Sequence, residues 1–205
     1  GKAAHSSSPE KGLNAAVKAA KIILALEKYR EETLNRRVHP LVGKSKLSIC
    51  WIRSSEGLFI PDYCEIGINR RNIPGEPQEK VYEELAEIIS RLSLEDEELK
   101  AELQTLLPGE FGTKRADPME TPLDAKIVKI FIKAVKDVTG QTLDPSGSSI
   151  WTDGAILVNE GKIPTIIFGP GEPHYAHARN EQIRLKDVVE SFKIYVRVAQ
   201  LFFES

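Results

Sequence analysis

The stretch DYCEIGINRRNIPGEPQEKVYEELAEIISRLS, residues 62–93, contains the two patterns that decide the fold. In its first part the apolar residues Cys64, Ile66 and Ile68 alternate with polar ones, which is typical of a strand with one buried face. After a turn with proline and glycine, apolar residues recur every three or four positions, which predicts a helix. The core stripe predicted for that helix is Val81, Leu85, Ile88 and Leu92.

The surrounding sequence extends this pattern in both directions. Residues 46–54, KLSICWIRS, favour a second strand, and residues 99–108, LKAELQTLLP, are compatible with a further one. Upstream, an amphipathic helix is predicted to begin near Pro9, with a stripe of Leu13, Val17, Ala20 and Leu24. The order helix, strand, strand, helix, strand predicts a ferredoxin-like βαββαβ fold that lacks its first strand. Only GKAAH stands where that strand would be, so the chain is expected to begin inside or at the end of an element.

The second half has a different character. The proline- and glycine-containing residues 108–122 favour a domain crossing, which gives an α+β domain over 1–112 and part of an α/β domain over 113–205. A helix over residues 121–140 is predicted to end at Gly140. The apolar run KIPTIIFG, residues 162–169, predicts a strand buried on both faces. The closing helix, residues 184–203, is expected to point an apolar stripe inward: Val189, Phe192, Val196, Ala199 and Phe203.

Composition excludes several classes of protein. The 205 residues carry 28 lysine and arginine against 30 aspartate and glutamate, so nothing favours nucleic acid or an anionic membrane as partner. No apolar run is long enough to span a bilayer, and the polar opening GKAAHSSSPEKG predicts no signal peptide. Cys50 and Cys64 are interpreted as small buried hydrophobes, and a cytoplasmic location is expected.

Two of the four histidines, His174 and His177, stand in GPGEPHYAHARNE, residues 169–181, at a spacing that suits metal ligands. A structural zinc needs about four protein ligands and a catalytic one about three, so this pair alone does not distinguish a metal site from a solvent-exposed loop. Its position after an apolar strand favours a site, because α/β folds bind ligands beyond the carboxyl ends of strands. GxSxG, HExxH, GxxxxGK[ST] and GxGxxG are absent, which argues against serine hydrolases, metzincins and nucleotide enzymes.

Three stretches together resemble one family of enzymes. They are GKAAHSSSPEKGLNAA (1–16), CEIGINRRNIPGE (64–76) and GSSIWTDGAILVNEGKIPTIIFGPGEPHYAHARNE (147–181). They are similar, in order and approximate spacing, to segments of the zinc-dependent amidohydrolases and exopeptidases that include acetylornithine deacetylase, succinyl-diaminopimelate desuccinylase, aminoacylase and glutamate carboxypeptidase. The resemblance implies a lid or dimerisation domain followed by the last part of a zinc-peptidase catalytic domain.

The resemblance implies a cofactor and places one ligand here. Members hold two zinc ions per complete active site, with cobalt or manganese as alternatives, and a metal-bound water attacks the amide carbonyl. His177 matches the last ligand histidine, whereas the other ligands and the glutamate base lie in a first half that has no match here. The chain is therefore expected to be a fragment that hydrolyses nothing by itself.

The lid residues implied by the resemblance are His5 and Arg71. His5 matches a histidine that crosses a homodimer to contact the oxyanion in the partner's site; the alternative is a surface histidine. Arg71 matches an arginine that grips the substrate carboxylate; the alternative is a solvated sheet face, which neighbouring Arg70 is expected to illustrate.

The second half supplies further substrate-binding candidates by the same resemblance. Thr152, Asp153 and Gly154 match a turn near the substrate, although Asp153 also suits a helix N-cap. Gly169 and Gly171 shape the loop before His177 and can bring a backbone amide close to a ligand. His174 has no counterpart and is interpreted as a surface residue.

The sequence departs from the pattern of the family it resembles at three positions. In that family these positions help to recognise the polar end of the substrate. Asn69 stands where many have aspartate, Leu58 where asparagine is common, and Ala155 where arginine is frequent. The implied substrate is therefore left as N-acyl amino acids or small peptides. A non-catalytic ferredoxin-like module for dimerisation or small-ligand binding is the alternative function.

Overall fold

The computed structural model describes residues 1–105, 117–176 and 178–204. Its contacts divide the chain into two compact units, Gly1–Pro118 and Met119–Ser205. The elements of the first unit, in chain order, are β1 (Ala4–His5), α1 (Ala15–Glu32), β2 (Val38–His39), β3 (Gly43–Lys44), β4 (Lys46–Ser54), β5 (Phe59–Ile60), β6 (Cys64–Arg71) and α2 (Gln78–Glu95). The second unit contains α3 (Lys126–Thr139), α4 (Gly154–Asn159) and α5 (Leu185–Glu204).

The main sheet of the first unit is the antiparallel pair of β4 and β6, which confirms both long strands predicted from the sequence. Ile49 stands opposite Ile68, and Trp51 stands opposite Gly67, with a register shift between Ile49 and Trp51. Directly opposed residues lie on the same side of a sheet. One side therefore carries Leu47, Ile49 and Ile68, which pack against the helices, and the other side carries most of the polar residues of both strands.

The core of the first unit lies between this sheet and the two long helices. Its buried members are Leu26, Leu34, Leu47, Val81, Leu85 and Ile88. The predicted stripe of α2 is confirmed, because Val81, Leu85 and Ile88 are buried and Leu92 packs against them. Burying one such side chain stabilises a fold by about 1.5–3 kcal/mol, so these helices contribute a large share of the unit's stability.

Helix α1 corrects two predictions. It begins at Ala15, because the Asn14 side chain accepts hydrogen bonds from the backbone amides of residues 16 and 17, while Pro9–Lys11 forms a separate 3₁₀ turn. Its buried side contains Ala15, Ala19 and Leu26. The predicted stripe lies on a neighbouring side, and Val17 and Leu24 are 55% and 70% exposed.

The second unit is built on the packing of α3 against α5. Ala134, Val135, Ile194 and Leu201 are buried in this contact, with Phe131 and Phe168 at its margin. As predicted, α3 ends at Gly140, whose φ of +74° is the left-handed conformation that glycine adopts without strain. The closing helix α5 is also confirmed, but the prediction of which side points inward is wrong. Phe192 and Phe203, predicted to be buried, are 66% and 88% exposed, whereas Ile194 is buried instead.

Three further expectations are corrected. Residues 162–169 form no strand and are not buried on both faces; Ile163 and Ile167 are each more than half exposed. Residues 99–105 form no strand either, although Leu99 is buried, and the rest of that predicted strand lies outside the described residues. Cys50 and Cys64 are free thiols in strands as expected, but Cys50 is exposed rather than buried. The chain is thus a mixed α/β protein, and no helix of its described part is long and apolar enough to cross a membrane.

Candidate functional site

The side of the β4–β6 sheet that faces away from the helices carries the first candidate site. We call it the open sheet face, and its residues are Lys46, Ser48, Trp51, Arg53, Glu65, Gly67, Asn69 and Arg71. Arg71 and Asn69, two residues apart on β6, share this side because side chains alternate along a strand. Both are exposed, and among the described residues the Arg71 guanidinium has no recorded hydrogen bond or ion pair. The structure therefore presents Arg71 as a solvent-facing cation on a strand.

The side chain of Arg70 is buried, although the sequence predicted that it would be exposed to solvent. Its side chain points to the helix side of β6, is 6% exposed and forms an ion pair with Glu76 at 2.8 Å. It also donates to the backbone carbonyl of Arg71 at 2.6 Å. The prediction that Arg70 illustrates a solvated sheet face is wrong because register, not residue type, decides which arginine is buried.

Glu76 is the centre of a buried polar network that braces β6. Its Oε1 accepts from Arg37 at 3.0 Å and Arg70 at 2.8 Å, and its Oε2 accepts from the Ser45 hydroxyl at 2.6 Å and the Ile73 amide at 3.1 Å. Burial alone would raise the pKa of Glu76. The hydrogen bonds from Ser45, Ile73 and Arg37 and the charge of Arg70 outweigh burial, so the pKa is lowered.

The network continues to the helices through Glu84. Arg37 binds this carboxylate with both terminal nitrogens, at 2.9 and 2.8 Å, and the Tyr29 hydroxyl donates to it at 2.5 Å. Burial and the bond to Glu84 raise the pKa of Tyr29 to about 12. Residues from α1, α2, β6 and the loops between them are thereby held together beneath the strand that presents Arg71.

His5 lies on the short strand β1, which pairs with β5 so that His5 stands opposite Phe59. It is exposed, and its Nδ1 lies 2.7 Å from the Ser7 hydroxyl and accepts from the Ser7 amide at 3.1 Å. Leu58, which directly precedes β5, is 93% exposed. Ser7 thus orients the imidazole through Nδ1. The other ring nitrogen, Nε2, forms no hydrogen bond with the described residues.

Thr152 and Asp153 form a turn, which we call the TD turn, that precedes α4. Asp153 occupies the N-cap position, as the alternative interpretation expected, but its side chain makes no capping hydrogen bond. The Thr152 hydroxyl instead accepts from the Gly154 amide at 3.3 Å. Asp153 is exposed, so its carboxylate is available to a ligand.

The glycine loop lies next to the α3–α5 pair. Gly169 and Gly171 are exposed, and Gly171 has a φ of +92°. The preceding carbonyl, that of Phe168, accepts from the Tyr195 hydroxyl of α5 at 2.9 Å. His174 is exposed, as predicted, with its Nδ1 3.4 Å from Glu172. His177, the predicted metal ligand, lies outside the described residues.

The described residues do not by themselves form a metal site. In the part of the chain that the structure describes, no group of three or more histidine, cysteine, aspartate or glutamate side chains is close enough to hold a metal ion. A zinc ion needs about three or four protein ligands. His174 with Glu172 supplies at most two, so these residues do not fit a zinc ion without others.

Sequence reasoning found the exposed candidates and missed what surrounds them. Asn69 and Arg71 are brought together on one strand, and His5, the TD turn and the glycine loop each occupy separate local structures. The Glu76 network was missed, since its partners are scattered over residues 29–84 and only folding brings them together. The stacking of Arg53 on Trp51, at 4.6 Å from the ring centroid, was also missed.

Comparison with known families identifies the first unit. Residues 1–97 match the model of the M20 peptidase dimerisation domain. This match covers the first two of the three motifs, and hydrolases that align along nearly all of the chain cover the third; together they confirm the predicted resemblance to the M20 metallohydrolases and peptidases.

Characterised and uncharacterised relatives align with nearly all of the chain. Acetylornithine deacetylase of Myxococcus xanthus is 25% identical over 98% of this chain and 50% of its own length. A metallohydrolase of Methanocaldococcus jannaschii is 27% identical over 97% and 49%. N-formyl-4-amino-5-aminomethyl-2-methylpyrimidine deformylase of Halalkalibacterium halodurans is 25% identical over 92% and 46%. The chain thus spans about half the length of the curated relatives it matches.

Solved structures show the same fold. An M20 family metallo-carboxypeptidase from Sulfolobus solfataricus superposes with a TM-score of 0.71 at 17% identity, over 98% of this chain and 55% of its own. The aminopeptidase PepT from Bacillus cereus gives 0.68 at 20% identity, over 98% and 48%. At these identities the likeness concerns the fold alone.

Proposed function

We propose that this chain is part of a zinc-dependent amide hydrolase that cleaves N-acyl amino acids or small peptides. The observation that carries the proposal is the alignment of hydrolases along 92–98% of the chain, at both of its units. The first unit would be a ferredoxin-like lid and the second the last part of a catalytic domain. A cytoplasmic location would follow for an enzyme of such metabolites.

Arg71 is proposed to bind the substrate carboxylate. Its exposure on the open sheet face supports this role, as does the absence of a competing carboxylate partner among the described residues. The planar guanidinium binds a carboxylate with two parallel hydrogen bonds. The Glu76 network lies on the other side of the same strand and would hold its backbone in place. In the second unit, the proposed substrate-binding residues are Thr152, Asp153, Gly154, Gly169 and Gly171.

His5 is proposed to act across a homodimer of lid domains. The imidazole is exposed and oriented by Ser7, so it is available to donate a hydrogen bond to an oxyanion in the partner's site. The exposed apolar residues of α1, Val17 and Leu24, supply a surface for a second copy. Val17 and Leu24 are seven residues apart and so lie on the same side of α1, which is the side proposed to meet the second copy.

His177 is proposed to supply one ligand to the metal centre, which holds two zinc ions when complete. The other ligands would come from the half of the relatives' length that this chain does not match. The 205-residue chain is accordingly expected to hydrolyse nothing, because no base or complete metal site is present in its own motifs.

The zinc content of the purified 205-residue chain, after dialysis against a trace of chelator, tests this proposal. We expect less than about 0.2 zinc per chain, since one or two ligands do not retain the ion. One tightly held zinc per chain would mean that His174, His177 and nearby carboxylates form their own site, which contradicts the proposal. A second test uses a protein that contains this chain and has the full length of the relatives. There His177→Ala should remove metal and activity. If the chain is instead a non-catalytic module, the same substitution should change nothing.

A further inference from the structure

Trp51 and Arg53 form a stack on the open sheet face. The Trp51 ring lies across the backbone of Gly67 on the neighbouring strand; a Cβ at position 67 would come within 2.1 Å of the ring. Arg53 places its guanidinium carbon 4.6 Å from the ring centroid. A ring held by a glycine below and an arginine above is fixed in orientation before any ligand arrives.

The stack belongs to a face of net positive charge. The open sheet face carries three cations, Lys46, Arg53 and Arg71, and one carboxylate, Glu65. Partial burial and the neighbouring Glu65 carboxylate raise the pKa of Tyr63, which places this one carboxylate beside the phenol. Among the described residues the Arg53 guanidinium has no recorded hydrogen bond, so its donors remain available around the stacked ring. An anionic ligand with a planar or aromatic group complements this face.

The spacing along β6 sets the length of such a ligand. Trp51 stands opposite Gly67, four residues from Arg71, which is about 13 Å at 3.3 Å per residue of strand. An extended peptide rises by the same amount per residue, so about four peptide residues span the distance. An N-acyl amino acid, with about two residues' reach or roughly 7 Å, can contact only one end.

We propose that the open sheet face binds an extended peptide in two places: its terminal carboxylate at Arg71, and an aromatic side chain about four positions from the carboxyl terminus on the Trp51–Arg53 stack. This inference rests on the role given to Arg71 under the proposed function. It narrows the substrate class from N-acyl amino acids and peptides to short peptides with an aromatic residue.

Fluorescence of Trp51 tests the inference on the 205-residue chain. Trp151→Phe leaves Trp51 as the one tryptophan of the chain. The probes are Phe-Ala-Ala-Ala, its carboxyl-terminal amide, Ala-Ala-Ala-Ala and N-acetylalanine. We expect Phe-Ala-Ala-Ala to change the Trp51 emission and to bind about fivefold or more tightly than Ala-Ala-Ala-Ala. The amide should bind at least about tenfold more weakly, and N-acetylalanine should leave the emission unchanged.

Substitutions assign the signal to the stack. Arg53→Gln should reduce the affinity for Phe-Ala-Ala-Ala to that for Ala-Ala-Ala-Ala, and Gly67→Ala should do the same because it displaces the ring. Arg91→Gln is the matched control, since Arg91 is exposed on α2, on the opposite side of the sheet, and it should change nothing. Calorimetric titration of the unsubstituted chain with the same peptides gives an independent reading if Trp151→Phe impairs folding.

The outcomes separate this inference from the proposed function. Equal affinities for Phe-Ala-Ala-Ala and Ala-Ala-Ala-Ala, or no binding of any peptide at millimolar concentration, would overturn the two-place site. If the two peptides bind equally and Arg71→Gln weakens binding of both, the role of Arg71 stands and only the stack is refuted. If Arg71→Gln leaves carboxylate binding intact, the role of Arg71 itself is wrong.

Discussion

Glu76 shows how much one buried carboxylate can organise. It is 5% exposed and accepts four hydrogen bonds, two of them from arginines. If its charge were removed, the Arg70 side chain, which is 6% exposed, would lose its carboxylate partner, whereas Arg37 would keep Glu84. Breaking a buried ion pair in this way costs about 3–5 kcal/mol, because the remaining charge is left uncompensated.

Glu76→Gln should therefore lower the free energy of unfolding by about 3 kcal/mol at pH 7, measured by urea denaturation. The pKa of Glu76 is lowered in the fold, so the stability it contributes is present above the ordinary pKa of 4.5 and is lost as the pH falls through the lower folded value. The difference between wild type and variant should shrink accordingly in acid. Glu98→Gln, at a residue whose side chain is 69% exposed, is the control and should change stability by less than about 0.5 kcal/mol.

Tyr29 should make the stability of the fold depend on pH in the alkaline range, where stability falls as the pH rises. Its pKa is raised from 10.0 to about 12 by burial and by Glu84, so the fold favours the protonated phenol. The stability from this preference is complete below pH 10 and is lost as the pH rises through about 12. Urea denaturation between pH 9 and 11 should show a shallower decline for Tyr29→Phe than for the wild type. Tyr82→Phe, at an exposed tyrosine that donates to the Leu103 carbonyl, is the control for loss of a tyrosine hydroxyl.

At the scale of elements, α5 has apolar residues on more than one side, and only one side packs on α3. Ile194 and Leu201 are buried there, while Val189, Phe192 and Val196 are 54%, 66% and 43% exposed. Periodicity identified the helix and could not identify the side, because both sides repeat every three or four residues. The same ambiguity explains α1, whose predicted stripe is adjacent to the buried one.

The two sides of α5 should respond differently to truncation. Ile194→Ala should lower the free energy of unfolding by about 3 kcal/mol, since it leaves a cavity in the α3–α5 contact. Phe192→Ala removes a larger side chain but should cost less than about 0.5 kcal/mol, because Phe192 is mostly exposed already. Urea denaturation of both variants measures the difference. A cost at Phe192 equal to that at Ile194 would show that α5 packs through the side predicted from sequence.

At the scale of the whole molecule, apolar surface remains exposed in both units. In the first unit Val17 and Leu24 lie on α1, and in the second Phe192 and Phe203 lie on α5. Monomers rarely leave large apolar patches uncovered. The proposed homodimer assigns the α1 surface to a second copy.

Light scattering after size exclusion should give twice the chain mass of 22.8 kDa at micromolar concentration. The double variant Val17→Asp with Leu24→Asp should give the single mass, because buried unpaired carboxylates oppose association. Leu94→Asp is the matched control, since Leu94 is 84% exposed on α2. If the double variant stays dimeric while Phe192→Asp becomes monomeric, the interface lies on α5 and the proposed one is wrong.

The sequence by itself determined where the main helices and the two long strands lie, because periods of 3.6 and 2 are local properties of the chain. It also determined the family resemblance and the exposed polar face of β6 that carries Arg71. Tertiary structure alone decided which side of α1 and α5 is buried and that Arg70 finds a buried carboxylate partner in Glu76. It also decided that residues 162–169 form no strand in the described part of the chain. These outcomes depend on what lies opposite each residue, since burial and strand pairing need a partner that the local sequence does not contain.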